Sequence, residues 1–317
     1  MSEERFRVVF MGTPDFAVPS LKVLIESEEV VLVVTNPDKP KGRGKKVLPP
    51  PVKEVALQAG IPVFQPLRLK GNEEAVREIA SYRPDLIVVV AYGKILPPEV
   101  LSIPKLFCVN VHASLLPKYR GAAPIQWSLI NGETRTGVTI MKMDEGMDTG
   151  PILLMREEEI RDDDDAGTLS GRLSLLGAEA LREALDLLRR GELVETPQND
   201  SEATYAPMIS KEMGEIDWSQ PAEKVRNLVR GLSPQPGAFT SFRGKRLKVR
   251  RAAVEEMPLD KGLPPGTVAD VRKDGIVVAC GDGSLLLQVL QPEGKKEMDA
   301  WAFAQGYRVS RGECLGR

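Results

Sequence analysis

Two polar side chains at the end of an apolar run are the first residues of this sequence that could do chemistry. Asn110 and His112 close the run that begins at Lys105, and His112 is the single histidine among 317 residues. On a strand, residues two apart point to the same face. Because the interior of a parallel sheet would not accept both side chains, we expect them to face a cleft at the end of the strand. An amide and an imidazole in a cleft can stabilise an oxygen that gains negative charge.

A carboxylate that could pair with this imidazole stands in a glycine-rich loop further along the chain. Asp148 lies in the segment 144–151. Such an acidic loop is more often a turn or a calcium-type site than a catalytic one, although it lacks the spacing of an EF-hand. A lone histidine is likewise more often a structural, hydrogen-bonded residue. The residues alone therefore leave a structural and a catalytic interpretation open.

The loop after the first predicted strand occupies the place of a dinucleotide-binding turn but lacks its glycines. It reads Met11-Gly-Thr-Pro-Asp-Phe16, with a proline where the G-x-G-x-x-G turn needs flexibility. NAD binding is therefore disfavoured. A plain tight turn and a substrate-lining loop at the carboxyl end of the sheet both remain open.

Two short segments are strongly basic although the net charge of the chain is only −2. The first covers residues 39–53, and the second covers residues 243–251 without an acidic side chain. In the second segment Arg246, Lys248 and Arg250 alternate, so on a strand they would share one face and could follow a row of phosphates. A charge run is most often a solvated surface, and that interpretation stays open.

The elements that must position these residues alternate strand and helix along the first half of the chain. Apolar runs without polar alternation, such as Val30–Thr35 and Asp85–Ala91, are separated by segments with helical spacing. This order predicts a doubly wound, mostly parallel, Rossmann-like α/β sheet. A long helix over 168–190, with Gly191 as its stop signal, is expected to close the domain.

The second half of the chain has a different pattern. A polar stretch at 191–210 predicts a linker, and 222–232 predicts one helix. Short strand-like runs follow at 238–242, 247–253, 266–271, 275–279 and 284–290. This order predicts a smaller, OB-like β-barrel. The predicted domains are therefore 1–190 and 211–317.

Composition excludes several classes of protein. Hydrophobic residues make up 42% of the chain and charged residues 28%, which excludes collagen-like, mucin-like and disordered proteins. The clearly apolar stretches span about six residues, whereas a membrane-spanning helix needs roughly 20. Three widely spaced cysteines without a C-x-x-C pair argue against disulfides or zinc, and one histidine excludes a two-histidine metal site. We expect a cytoplasmic, monomeric protein without a metal.

Taken together, these residues resemble the folate-dependent formyltransferase family. The family pattern of Asn, His, Ser-Leu-Leu-Pro and Arg-Gly is present as Asn110, His112, residues 114–117 and residues 120–121, and its later Asp-Thr-Gly is residues 148–150. The resemblance covers essentially the whole chain. The loop Gly42-Arg-Gly-Lys-Lys46 and the segments 234–238 and 291–296 are similar to the branch of the family that acts on transfer RNA.

The resemblance implies a reaction and a role for each side chain. The formyl group of 10-formyltetrahydrofolate would pass to the α-amino group of initiator methionyl-tRNA, for the start of translation. Asn110 and protonated His112 would stabilise the oxyanion. Asp148 would favour the charged imidazole and help to move protons.

The resemblance also implies where the substrates bind. The residues expected against the folate are Ser114, Leu115, Leu116 and Pro117, and the strand end 88–93 would form a wall of the pterin slot. The residues expected to contact the tRNA are Lys39, Lys41, Arg43, Lys45, Lys46, Arg246, Lys248 and Arg250. Arg43 would be the central residue of a loop that reaches the acceptor end.

Other functions share parts of this pattern. A formyltransferase that acts on an amino sugar nucleotide or on glycinamide ribonucleotide would keep the same three polar side chains without needing the basic segments. A non-catalytic RNA-binding protein on this fold would not need the three side chains, and a formyl-folate hydrolase would use water in place of the amine. The run of cations at 39–46 favours the tRNA substrate.

Overall fold

The chain divides into two compact units, which we describe separately. The computed structural model describes residues 5–41, 46–255 and 262–316. The first unit comprises residues 1–124, 135–159 and 170–206, and the second comprises residues 125–134, 160–169 and 207–317. The units therefore interleave along the sequence, whereas the hydrophobic pattern predicts contiguous domains. The limits at 190 and 211 stay predictions.

The first unit is built around a seven-stranded sheet. The described strands are β1 (Arg7–Gly12), β2 (Glu29–Val34), β3 (Lys39–Lys41), β4 (Lys46–Leu48), β5 (Val63–Phe64), β6 (Leu86–Val90), β7 (Phe107–His112), β8 (Arg135–Lys142) and β9 (Ile152–Glu159). The sheet has the order β5-β2-β1-β6-β7-β8-β9. The first five strands of this order, from β5 through β2, β1 and β6 to β7, pair in parallel. Strands β8 and β9 extend the sheet with antiparallel pairing. Strands β3 and β4 form a separate antiparallel pair.

The helices alternate with these strands, as the sequence pattern predicts. They are α1 (Val18–Ser27), α2 (Pro51–Gln58), α3 (Glu73–Ser81), α4 (Pro98–Leu101), α5 (Pro124–Ile130) and α6 (Ala166–Arg190). Residues 125–130 of α5 and 166–169 of α6 are grouped with the second unit. Single 3₁₀ turns lie at Asp15–Ala17, Asp200–Glu202 and Glu212–Gly214. Helix α6 ends where Gly191 adopts a φ of +70° and donates to Leu188 O at 3.0 Å, because a glycine reverses the chain there without steric cost.

Burial explains why the central strands lack polar alternation. Every residue of β6 is buried, since a parallel sheet in this fold class is covered on both faces. The central strand β7 is buried except where Phe107 and Asn110 are partly exposed. The parallel strands β6 and β7 therefore offer few polar positions, and Asn110 and His112 lie near the end of β7.

The second unit contains an antiparallel sheet and helices that pack on it. The strands are β10 (Ala238–Phe242), β11 (Lys245–Glu255), β12 (Val268–Arg272), β13 (Gly275–Ala279), β14 (Ser284–Pro292) and β15 (Met298–Asp299), and the helices are α7 (Ala222–Leu232) and α8 (Ala300–Tyr307). The sheet order is β10-β11-β14-β13-β12, with β15 beside β14. The five predicted strand runs and the predicted helix are all present. The predicted fold class, a mostly parallel α/β sheet followed by a smaller β domain, is confirmed.

Candidate active site

Strand β7 brings Asn110 and His112 to one face of the sheet near its carboxyl end. Asn110 lies opposite Val89 of the parallel neighbour β6, and His112 lies opposite Thr139 of the antiparallel neighbour β8. The site therefore stands where the sheet changes from parallel to antiparallel pairing. His112 is only 5% exposed, while Asn110 is partly exposed.

Both ring nitrogens of His112 face hydrogen-bond acceptors. Nε2 lies 2.9 Å from the carbonyl oxygen of Tyr119, which can only accept, so Nε2 carries a hydrogen. Nδ1 lies 3.7 Å from Asp148 Oδ2. A neutral ring with its hydrogen on Nε2 would turn a lone pair toward this carboxylate. When the ring carries a hydrogen on both nitrogens, Nδ1 and the Asp148 carboxylate form an ion pair at this distance.

Asp148 links the imidazole and the amide. Its Oδ2 accepts a hydrogen bond from the backbone nitrogen of Gly121 at 2.8 Å, and its Oδ1 lies 3.5 Å from Asn110 Nδ2. Asp148 has a φ of +54°, a left-handed conformation that aspartate tolerates better than most residues. The structure thus brings Asn110, His112 and Asp148 together, although the chain separates the first two from the third.

The turn after β7 aims two backbone groups at the site. Tyr119 has a φ of +61°, and its nitrogen donates to Thr204 Oγ1 at 2.8 Å, which fixes the carbonyl that faces His112. Gly121 has a φ of +117°, and a Cβ there would lie 2.8 Å from Ala206 O. Only glycine allows the backbone this close approach, and the approach presents the Gly121 N–H to Asp148.

Sequence reasoning missed side chains that belong to this site. Gln198 donates to the carbonyl oxygens of Asp148 and Gly150, and Thr204 holds the Tyr119 turn. Both lie in the stretch 191–210, which we predicted to be a linker. Residues 196–206 belong to the first unit, where Thr196 pairs with Ile152 and Tyr205 pairs with Arg120.

The residues predicted to contact folate form a turn with two inward and two half-exposed side chains. Ser114 and Leu116 are 1% and 2% exposed, whereas Leu115 and Pro117 are partly exposed. The Ser114 hydroxyl donates to Lys118 O at 2.6 Å. Thr139 Oγ1 donates to Ser114 O at 2.6 Å and accepts from Leu116 N at 3.1 Å. In this conformation Ser114 and Leu116 support the turn, and their contact with folate stays a prediction.

The predicted pterin wall runs from the end of β6 into a turn. Ala91 and Gly93 have φ values of +47° and +75° and are exposed, while Tyr92 is buried. Burial raises the pKa of Tyr92 to about 12, so its hydroxyl stays protonated. Asn36 Nδ2 donates to both Tyr92 O and Thr13 Oγ1, at 2.8 and 3.0 Å. The loop that contains Thr13 is thereby tied to the carboxyl end of the sheet.

The first basic segment lies partly within the described residues. Lys39 is exposed on β3, whereas Arg43 and Lys45 lie outside the described residues, as do the side chains of Lys41 and Lys46. Burial and the positive charge of Lys39 hold the pKa of Lys94 below its usual range. Lys94 is therefore a further cation that interacts with Lys39, and the charge pattern of the sequence does not reveal it.

The second basic segment forms one face of β11, but its cations differ. Arg246 is exposed and stacks on the Phe239 ring at 3.9 Å. Burial and the charges of Arg250, Arg246 and Lys211 lower the pKa of Lys248. Arg250 is held by Pro234 O at 2.6 Å, Gln291 Oε1 at 2.5 Å and Glu297 Oε1 at 3.0 Å. Lys248 Nζ donates to Pro236 O at 2.8 Å, so among these three cations Arg246 is the most open to solvent.

The described part of the chain offers no sign of a metal centre or a membrane segment. Among residues 5–41, 46–255 and 262–316, no group of three or more His, Cys, Asp or Glu side chains is placed to bind a metal ion. None of the helices described combines the length and apolar character that crossing a bilayer requires. Burial raises the pKa of the Cys108 thiol to about 12, so this cysteine of β7 is a protonated thiol at neutral pH.

Both parts of the chain match models of known families. A model described as formyl transferase matches residues 5–185, and one described as formyl transferase, C-terminal domain, matches residues 208–308. The chain belongs to the formyl transferase family. The resemblance stated from the motifs is confirmed, and the chain is an enzyme of that family.

Individual relatives agree with this membership. The chain is 54% identical over 312 residues to the methionyl-tRNA formyltransferase of Citrifermentans bemidjiense, over 98% of this chain and 96% of that protein. It is 52% identical over 310 residues to the methionyl-tRNA formyltransferase of Caldanaerobacter subterraneus subsp. tengcongensis, over 98% and 99%. HypX from Aquifex aeolicus in complex with tetrahydrofolic acid has the same fold, with a TM-score of 0.64, 21% identity, and coverage of 98% of this chain and 49% of that one.

Proposed function

We propose that this enzyme transfers the formyl group of 10-formyltetrahydrofolate to the α-amino group of initiator methionyl-tRNA. The observation that carries the proposal is the cluster of Asn110, His112 and Asp148 at the end of β7. It stands in a chain whose relatives at 52–54% identity are methionyl-tRNA formyltransferases. The proposal includes action as a monomer in the cytoplasm, where translation starts.

The reaction balances without a metal or an oxidant. The amine nitrogen forms a bond to the formyl carbon, the bond from that carbon to N10 breaks, and one proton passes from the amine to N10. Negative charge develops on the formyl oxygen in between, so the protein must place hydrogen-bond donors around it.

Asn110 and His112 supply these donors. The Asn110 amide carries two hydrogens, and Asp148 accepts at most one of them through a long contact of 3.5 Å. His112 Nε2 is engaged by Tyr119 O, whereas Nδ1 lies 3.7 Å from Asp148 Oδ2, which is longer than a hydrogen bond. A hydrogen on Nδ1 is therefore still available to the reacting oxygen. Donors fixed in this way need no reorganisation as the charge appears. Each lowers the free energy of the transition state by roughly 3–4 kcal/mol.

Asp148 has two tasks in this scheme. Its Oδ2, at 3.7 Å from His112 Nδ1, can balance the charge of a protonated ring. Its carboxylate also stands beside both donors and can accept the proton that the amine loses. The Gly121 N–H holds the carboxylate in place for both tasks.

The proposed binding surfaces for the folate and for the tRNA lie on different residues. The exposed turn at Ala91–Gly93 and the half-exposed Leu115 and Pro117 provide open backbone and apolar surface, which suit a planar pterin. Lys39 in the first unit, and Arg246 and Lys248 in the second, provide positive charge for phosphates. The contacts of Lys41, Arg43, Lys45 and Lys46 with the acceptor end remain part of the proposal.

A side-by-side acceptor assay tests the proposed function. The purified enzyme and 10-formyltetrahydrofolate are mixed with charged initiator tRNA, elongator methionyl-tRNA, an amino sugar nucleotide or no acceptor. We expect formylation of the initiator methionyl-tRNA, with little transfer to the other acceptors. Preferred transfer to the amino sugar, or folate turnover without an acceptor, would overturn the proposal.

A further inference from the structure

Gln198 joins the loop of the candidate carboxylate to an arginine. Its Nε2 donates to the carbonyl oxygens of Asp148 and Gly150 at 2.8 and 2.7 Å. Its Oε1 accepts from Arg120 Nε and Nη2 at 3.1 and 2.8 Å. Carbonyl oxygens only accept and a guanidinium only donates, so the orientation of this amide is fixed. One side chain thus uses both of its amide hydrogens on the loop and its oxygen on the arginine.

Arg120, which donates to the Gln198 amide oxygen, is itself held in a fixed position. It is only 2% exposed, and its Nη2 also donates to Asp200 Oδ1 at 2.7 Å. Its backbone nitrogen donates to Thr204 O at 2.8 Å, and its carbonyl oxygen accepts from Ala206 N at 2.7 Å. Because side chain and backbone are both held, Arg120 fixes the point from which Gln198 reaches the loop.

The loop that Gln198 holds needs such support. Asp148 has the left-handed φ of +54°, and Gly150 packs so tightly that a Cβ there would lie 1.8 Å from Lys142 O. Without Gln198, the carbonyl groups of Asp148 and Gly150 lose their donor, and the turn can relax. A relaxed turn would move the Asp148 carboxylate away from His112 Nδ1.

We propose that Gln198 is a positioning residue for formyl transfer, which holds the Asp148 carboxylate against His112. It acts through Asp148 and does not touch the reacting atoms. The proposal rests on the proposed function of the site, since it assigns Asp148 a task in the reaction. It also gives residues 196–206 a role that a linker would not have.

Two substitutions separate this role from simple anchoring of Arg120. Gln198→Glu keeps acceptors for Arg120 but turns a negative oxygen toward the two loop carbonyl groups. Gln198→Met removes both sets of contacts. We expect both variants to lose kcat by roughly 10- to 100-fold, with the KM of each substrate changed less than about threefold. If Gln198 merely anchors Arg120, only Gln198→Met is defective.

A spectroscopic readout keeps the test independent of turnover. His112 is the single histidine, so ring-nitrogen NMR of the untagged, ¹⁵N-histidine-labelled protein reports on one imidazole. We expect Gln198→Glu and Gln198→Met to change the Nδ1 resonance in the direction that Asp148→Asn changes it. The matched control Gln58→Glu, at an exposed position at the end of α2, should leave the kinetics and the resonance as they are.

The outcomes distinguish the two proposals. Wild-type protein that does not formylate initiator methionyl-tRNA overturns the proposed function, while the Nδ1 resonance still decides whether Gln198 positions Asp148. Active wild-type protein together with a Gln198→Glu variant of unchanged kcat and unchanged resonance overturns the positioning role. If Gln198→Glu fails to fold, as shown by circular dichroism, the Nδ1 resonance of Gln198→Met decides: a change in the direction of Asp148→Asn supports the positioning role, and an unchanged resonance overturns it.

Discussion

At the scale of single residues, the number of hydrogen-bond partners decides which polar groups of the site remain available to substrate. His112 has one acceptor at each ring nitrogen, and Asn110 has only the long contact to Asp148 within the described site. The amide therefore keeps a hydrogen for substrate, whereas the imidazole is oriented before substrate binds. Such preorganisation is the larger part of what an oxyanion site contributes.

Removal of the Asn110 amide should affect the chemical step more than binding. We expect Asn110→Ala to lower kcat by roughly 10²- to 10³-fold, because it removes one donor to the developing oxyanion. The KM for the formyl donor should change much less. Steady-state kinetics over a range of donor concentrations check this expectation. An effect confined to KM would mean that the amide binds the ground state and gives no special stabilisation to the transition state.

Two substitutions of Asp148 should separate the carboxylate from the turn that carries it. Asn tolerates left-handed backbone conformations and can still accept from Gly121 N, so Asp148→Asn should lose activity but keep its unfolding midpoint. Asp148→Ala should lose activity and also about 1–3 kcal/mol of stability, since alanine is strained at a φ of +54° and lacks the acceptor. Kinetics and urea unfolding check both. Equal stability of the two variants would show that the turn carries no strain.

Sequence predicted some members of the site and missed others for a physical reason. Asn110 and His112 follow from period-2 geometry at the end of an apolar run, and Asp148 is the carboxylate that the family pattern supplies. Gln198 and Thr204 act through tertiary contacts with residues far away in the sequence. The hydrophobic pattern around them does not indicate these contacts. A polar stretch has the same composition whether it tethers two domains or closes an active site.

At the scale of elements, the turn at residues 114–118 is held by a side chain from the neighbouring strand. Thr139 Oγ1 of β8 donates to Ser114 O and accepts from Leu116 N. Thr139 is fully buried, so water cannot replace either contact. Strand β8, the first antiparallel strand beside β7, therefore also shapes the predicted folate-binding turn.

Substitution of Thr139 should weaken this element. We expect Thr139→Val to reduce the free energy of unfolding by about 1–3 kcal/mol, because Ser114 O and Leu116 N lose their partner while the side-chain volume is kept. Thr139→Ser retains the hydroxyl and serves as the control. Denaturant unfolding measures both. Similar losses for the two variants would mean that methyl packing, not the hydroxyl, supports the turn.

The alternation of strands and helices was predictable from hydrophobic pattern, whereas the pairing of distant elements was not. The buried run of β6 and the stop signal at Gly191 are local features, and both are present as predicted. The antiparallel entry of β8 beside β7 depends on the path of the chain between them. The grouping of residues 125–134 and 160–169 with the second unit likewise leaves no local signal.

At the scale of the whole molecule, the near-neutral net charge conceals two positively charged regions. The proposal assigns them to the phosphates of the tRNA. We expect the double variant Arg246→Ala/Lys248→Ala to weaken tRNA binding and to flatten the salt dependence by up to about 2 in the log–log slope. Folate affinity is the control, because the proposed folate-binding surface lies in the first unit. An unchanged slope would show that this face of β11 is an ordinary solvated surface.

Arg250 should behave differently from its neighbours on β11. Its side chain is 9% exposed and is held by Pro234, Gln291 and Glu297. We expect Arg250→Met to cost about 1–3 kcal/mol of stability of the second unit, chiefly through the lost hydrogen bonds, with a smaller change in the salt dependence. Thermal unfolding, together with tRNA binding at several salt concentrations, distinguishes the two effects. A large change in slope without loss of stability would make Arg250 a phosphate contact.

The most direct test of the account is the single-turnover rate of formyl transfer to initiator methionyl-tRNA, measured for the wild type, His112→Ala and Asp148→Asn. With enzyme in excess over charged tRNA, this rate reports the chemistry and not product release. We predict rapid transfer by the wild type and a loss of roughly 10²-fold or more in each variant, with each fold intact by circular dichroism. Near-normal transfer by either folded variant would contradict the claim that the pair formed by His112 and Asp148 carries the reaction.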